Sequence, residues 1–192
     1  MKALEAIFAI LPADFPLPIL VVEHLHVSDD GAFARHLAHA CRMPVEEACD
    51  KWPARPGHVY TAPANYHLLV EQDGTLSLSV DERVNWSRPS IDVLFDSAAR
   101  AWGRELIAVI LSGASADGAR GLSIVRGAGG RTIAQDPNDA ESPLMPQSAI
   151  DAGAADEILS ADKIGARLIE LTAIASWKRR SRTWAPTPIL PT

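Results

Sequence analysis

The chain has 192 residues, 47% of them hydrophobic and 22% charged, with a net charge of −6. That length and apolar content suit one globular domain with a sizeable core, and no apolar run approaches the roughly 20 residues needed to cross a bilayer. Lys178, Arg179, Arg180 and Arg182 give the segment 177–192 a charge of +4, which leaves residues 1–176 at −10, a balance that argues against nucleic acid as a partner.

Leu4, Ile7, Phe8 and Leu11 recur at helical spacing and predict an amphipathic helix near 2–11. Glu5 interrupts its apolar pattern and no small-residue cleavage site follows, so the segment is not read as a signal peptide. Pro16 and Pro18 mark a turn, and Ile19–Val22 is a short, continuously apolar run of the kind found in buried parallel strands. Asp29 or Asp30 is placed to cap a helix running to about Arg42. Gly57–Ala62 and His67–Glu71 read as strands. Asp73-Gly74 signals a hairpin and Thr75–Val80 alternates, so an antiparallel insert is expected on a parallel scaffold. A loop rich in Asn, Trp and Pro precedes a helix from about Ser90 to Trp102. A strand at 106–111, a helix at about 118–127 and a strand at 131–134 follow, then a helix near 146–152, a strand at 156–159 and a last helix at 162–175. The alternation predicts an α/β fold: a doubly wound, mostly parallel sheet with helices on both faces and an antiparallel β-hairpin insert. Residues 1–176 form the domain, and 177–192, with Pro186, Pro188 and Pro191, read as a basic tail without regular structure.

Two polar residues stand at strand ends, where open α/β proteins place their ligands. His24 follows the first strand, and a histidine there serves either as a general base or as a structural residue bonded to a backbone carbonyl. Asp117 lies in the small-residue turn after Leu106–Leu111, where an acid either caps the next helix or orients a histidine. His24, His26, His36, His39 and Cys41 are of metal-ligating type, but their spacing matches no dedicated motif, so neither a metal nor a cofactor is expected. The glycines of Arg126–Gly130 follow a helix and precede a strand, the wrong order for a dinucleotide loop; a helix C-cap and tight turn is expected there. Cys41 and Cys49 could form only one short bridge and read as reduced thiols of a cytoplasmic protein.

These pieces, taken in order, resemble the catalytic domain of CheB, the chemoreceptor glutamate methylesterase family. The likeness runs from about Leu4 to Leu171. It is carried by Val22-Glu-His24, Pro56–Pro63, His67–Val70, Arg88–Phe95, Asp117–Leu122, Ala128-Gly-Gly130, Ala134-Gln-Asp136, Met145-Pro146, Ala149-Ile150 and Gly153–Asp156. The resemblance implies a serine hydrolase with a Ser-His-Asp triad that removes methyl groups from glutamyl esters on the cytoplasmic helices of methyl-accepting chemoreceptors. Some members also deamidate glutamines. His24 would then be the base and Asp117 its orienting acid. Chemoreceptor helices and other chemotaxis proteins are the partners it implies, with no nucleic acid and no membrane insertion.

The chain departs from the family pattern at its start. The family nucleophile sits in a Gly-Ala-Ser-x-Gly-Gly turn between the first strand and the first helix, whereas Lys2 and Ala3 stand where its two glycines belong. The first strand and the serine are therefore expected to be missing, leaving a gap in the sheet. Ser115 and Ser28 are the alternative hydroxyls. Gly113, Ala114 and Ser115 correspond to a loop bordering the reacting carbonyl, with Ala114 in place of the family's methionine. The family's phosphorylation-controlled receiver domain has no matching segment in these residues. Three readings remain: a methylesterase domain lacking its nucleophile turn, a catalytically inactive relative that binds receptors or chemotaxis partners, or an unrelated hydrolase using Ser115.

Overall fold

The computed structural model describes residues 1–173. The basic tail 177–192 and the last two residues of the predicted final helix lie outside them. The order is α1 (Lys2–Ile10), β1 (Ile19–Val21), α2 (Ala32–Ala40), β2 (Val45–Glu47), β3 (Val59–Thr61), β4 (His67–Val70), β5 (Leu76–Ser79), α3 (Ile91–Trp102), β6 (Ile107–Ile110), α4 (Ala119–Gly127), β7 (Arg131–Gln135), α5 (Leu144–Asp151), β8 (Glu157–Leu159) and α6 (Ala161–Ala173). No helix among the described residues is long and apolar enough to cross a membrane.

The strands fall into two three-stranded parallel sheets, β1-β3-β2 and β6-β7-β8, plus the antiparallel pair β4-β5. This is the expected mixed α/β architecture with its hairpin insert. Two details differ from the sequence reading. Strand β2 was not foreseen, and the segment around Val59–Thr61 pairs in parallel with β1 and β2 rather than joining the hairpin.

Both sheets are covered on both faces, and side-chain alternation explains how. Along β1, Ile19 and Val21 pack with α1 and α6 residues such as Phe8 and Ile164, while Leu20 and Val22 pack with Leu94 of α3 and Leu122 of α4. Along β6, Val109 joins the first cluster and Ile110 the second. Strands buried on both faces need apolar side chains at successive positions, which is why β1 and β6 read as continuous hydrophobic runs.

Among the described residues, strand β1 is hydrogen-bonded only to β3, and β6 only to β7. Between these two open edges lies a cavity of about 520 Å³, walled by β1 and β6 and closed by Phe8 of α1 and Leu94 of α3.

Local signals settle several ends. Gly129, at φ +84, and Gly130 donate to the carbonyls of Arg126 and Val125, closing α4 and turning the chain into β7 as expected. Neither Asp29 nor Asp30 caps α2. Gly31 occupies the N-cap at φ +89, Asp29 accepts the Gly31 N–H, and Asp30 pairs with Arg35.

Candidate active site

His24 lies three residues beyond β1 and Asp117 in the turn after β6. Their side chains meet across the end of the cavity, with His24 Nε2 at 2.8 Å from Asp117 Oδ2. Because each residue follows the carboxyl end of its strand, the two parallel sheets point the same way and open onto one site. Asp117 is fully buried, whereas the His24 side chain is 25% exposed. His24 makes no other hydrogen bond through its side chain among the described residues, so Nδ1 is uncommitted.

The start of α3 builds the seat of the carboxylate. Asp117 Oδ2 also accepts the Ile91 N–H at 2.7 Å, and Oδ1 accepts Ser90 Oγ at 2.8 Å, Asn85 Nδ2 at 2.9 Å and the Asp92 N–H at 3.2 Å. Two of these donors are backbone groups that a helix leaves unpaired in its first turn, and the helix dipole favours an anion there. Asp117 is thus a cap, but of α3 rather than of the helix that follows it. That next helix, α4, is capped in return by Asp92, whose Oδ1 accepts Gly118 N–H at 3.1 Å and Gly121 N–H at 2.6 Å. Asn85 ties the two acids together through Nδ2, which also donates to Asp92 Oδ2 at 3.0 Å. His67, buried in β4, supports the seat from behind. Its Nδ1 accepts the Ser90 N–H and its Nε2 donates to the Glu82 carbonyl, which fixes the neutral tautomer.

Burial by itself would raise the Asp117 pKa. The bonds from His24, Asn85, Ile91 and Ser90 outweigh it and hold the group at about 2, against an ordinary value of 3.8. The folded state therefore binds this proton less readily than the unfolded chain. The resulting stabilisation, about 2 kcal/mol, is present above pH 4 and lost as pH falls towards 2. Denaturant titrations at pH 5 and pH 2.5 check this. The stability lost between them should be smaller by about that amount in Asp117→Asn, and an identical loss in both proteins would refute it.

Gly118 must be glycine for two reasons. Its φ is +98, and a Cβ there would stand 2.4 Å from Ile110 Cδ1 and 2.8 Å from Ile91 Cγ2. Gly118→Ala is expected to destabilise the domain by about 2–4 kcal/mol, read from the urea midpoint. A change under about 1 kcal/mol would show that the turn relaxes freely.

Gly113, Ala114 and Ser115 line the same cavity as His24. The Gly113 N–H is committed to the Ser142 carbonyl at 2.9 Å, which removes it as a donor to an oxyanion. Ser115 Oγ accepts the N–H of Asp117, and Ser28 Oγ bonds His26. Neither hydroxyl reaches His24. Of the other histidines, His36 pairs with Glu5, and no group of three or more His, Cys, Asp or Glu among the described residues is arranged to hold a metal ion. From sequence, His67, Ser90 and Asp92 stand only within motif segments and without a role, and Asn85 is not singled out at all. Their roles arise only when three distant segments converge on Asp117.

A family model described as CheB methylesterase matches residues 1–168. A Leptospira interrogans protein, provisionally named protein-glutamate methylesterase/protein-glutamine glutaminase, is 46% identical over 171 residues, covering 89% of both chains. Protein-glutamate methylesterase/protein-glutamine glutaminase 2 of Anaeromyxobacter dehalogenans is 41% identical over 171 residues, 89% of this chain and 50% of that protein. The chain thus spans most of the first relative and about half of the second. The crystal structure of the Thermotoga maritima CheB methylesterase catalytic domain superposes with a TM-score of 0.85 at 38% identity, covering 88% of this chain and 92% of that one.

Proposed function

The chain belongs to the CheB methylesterase family, and on that basis we propose that it serves the hydrolysis of glutamyl methyl esters on chemoreceptors, with His24 as base and Asp117 as its orienting acid. The observation that carries this reading is the bond from His24 Nε2 to a buried carboxylate whose remaining acceptor positions are filled by α3.

A hydroxyl attacks the ester carbonyl while His24 takes its proton on the uncommitted Nδ1. Asp117 holds the ring in the Nε2–H tautomer and stabilises the imidazolium. Collapse of the tetrahedral oxyanion expels methanol, which leaves with the proton from His24. Water, deprotonated by the same ring, then cleaves the acyl-enzyme and frees the glutamate carboxylate. A glutamine amide would follow the same course with ammonia as the leaving group. The backbone N–H groups of Ala114 and Ser115, which make no hydrogen bond among the described residues, are the donors at hand for the oxyanion.

The hydroxyl is the component that no described residue presents to His24. We place it on an extended apolar segment seated between β1 and β6. Three features support that placement: both strand edges lack a partner on this side among the described residues, the cavity walls are largely apolar, and its end opens at His24.

The test supplies such a segment as a peptide of about five apolar residues ending in the Gly-Ala-Ser-x-Gly-Gly turn. Methanol release from a methyl-esterified receptor fragment should appear on adding the peptide and vanish when its serine is alanine. No release under any condition, with receptor binding retained, would favour the inactive receptor-binding reading. That reading is supported by the same lack of a hydroxyl at His24.

A further inference from the structure

Val84 and Ser87 face each other in a two-residue hairpin turn, each N–H donating to the other's carbonyl at 3.1 and 2.9 Å. The two residues between them, Asn85 and Trp86, have φ of +50 and +65. Positive φ at both positions is the turn type whose preferred sequence is Asn-Gly. Asn85 fits the first position. The second, where glycine is favoured, holds a tryptophan, a bulky residue for which a left-handed backbone is a genuine outlier.

The strain brings no packing in return. Trp86 is 93% exposed, more than any other large hydrophobic residue described. The turn itself is firmly anchored, because Asn85 is the residue that bridges Asp92 and Asp117. An indole is therefore held in solvent, one residue from a group that touches the candidate catalytic acid.

Two more exposed apolar residues lie close in sequence to His24 and His67, which bond into the same network. Val27, 54% exposed, is three residues past His24. Tyr66, 41% exposed, precedes His67. Asn65 Nδ2 joins their loops by donating to the Val27 carbonyl at 3.3 Å.

We propose that Trp86 is a substrate-docking residue: the ester-bearing helix of the receptor packs its apolar side chains against this indole while the esterified side chain enters the site. This rests on the function proposed above. It adds the residue that positions the protein substrate. A glutamyl ester on a protein can reach His24 only if the backbone that carries it crosses the rim. Tryptophan supplies a large, stiff contact area at such a rim with little conformational entropy to lose, which is why it is over-represented at binding hot spots.

The decisive variant is Trp86→Gly, because it separates docking from folding. Glycine is the residue that this turn position prefers, so the melting temperature should hold or rise. Binding to a methyl-esterified cytoplasmic receptor fragment, measured by calorimetry with the full chain, should weaken by roughly 10- to 100-fold. Trp86→Phe should retain binding within about fivefold, since an aromatic face remains. Equal affinity of Trp86→Gly and the parent chain for the fragment would overturn this inference alone. Failure of the parent chain to bind at all would overturn it together with the reading on which it rests.

Discussion

Asp117→Ala is expected to lower the melting temperature by roughly 10–15 °C. The substitution removes a buried carboxylate that accepts five hydrogen bonds, leaves the Ile91 and Asp92 N–H groups and the Ser90 hydroxyl without their acceptor, and takes one of the two acceptors of the Asn85 amide. Unpaired buried donors each destabilise by about 1–3 kcal/mol, so the four losses together account for roughly 4 kcal/mol or more. At about 2–4 °C per kcal/mol for a domain of this size, the expected shift follows. Asp117→Asn should recover part of it by keeping the shape and one acceptor oxygen. It would still impair catalysis, because an amide nitrogen facing His24 favours the wrong tautomer. Differential scanning calorimetry decides the matter, and a shift below about 3 °C for the alanine variant would mean that water replaces the carboxylate at no cost.

His24→Ala should give the opposite signature. The side chain is a quarter exposed and its one hydrogen bond goes to a carboxylate that keeps four other donors, so the melting temperature should change little. Peptide-dependent methanol release, by contrast, should fall at least ~10³-fold, since the members of a nucleophile–base–acid set act as a unit. Retention of more than a tenth of the rate would remove His24 from the role of base. Taken together, the two variants separate the seat of the site from its proposed chemistry: one removes support for the fold, the other only the proposed base.

Much of this was legible in the sequence where periodicity and burial agree. Strands β1 and β6 were readable as apolar runs because both of their faces are covered. The hairpin was readable because Asp73-Gly74 sits between alternating segments. Strand β2 was not, because Val45-Glu-Glu47 is a half-buried edge after a proline and carries no apolar pattern. The pairing of His24 with Asp117 was expected. The way Asp117 is held was not, since a helix start at residues 90–92 and a turn residue at 85 become its neighbours only through tertiary packing. Sequence position misled in one instructive case. An acid just before α4 suggests a cap for α4, yet the side chain turns across to α3, and the acid that caps α4 comes from α3.

That exchange of caps has a kinetic consequence. Neither helix start can open to water alone, because lifting α3 uncovers the amides that Asp117 satisfies, and carries Asp92 away from those at the start of α4. Local fraying, the cheapest motion for most helix ends, is replaced here by a concerted opening of two helices. The carboxylate bonded to His24 therefore sits where two helix starts depend on each other, so opening one is expected to expose the amides of both.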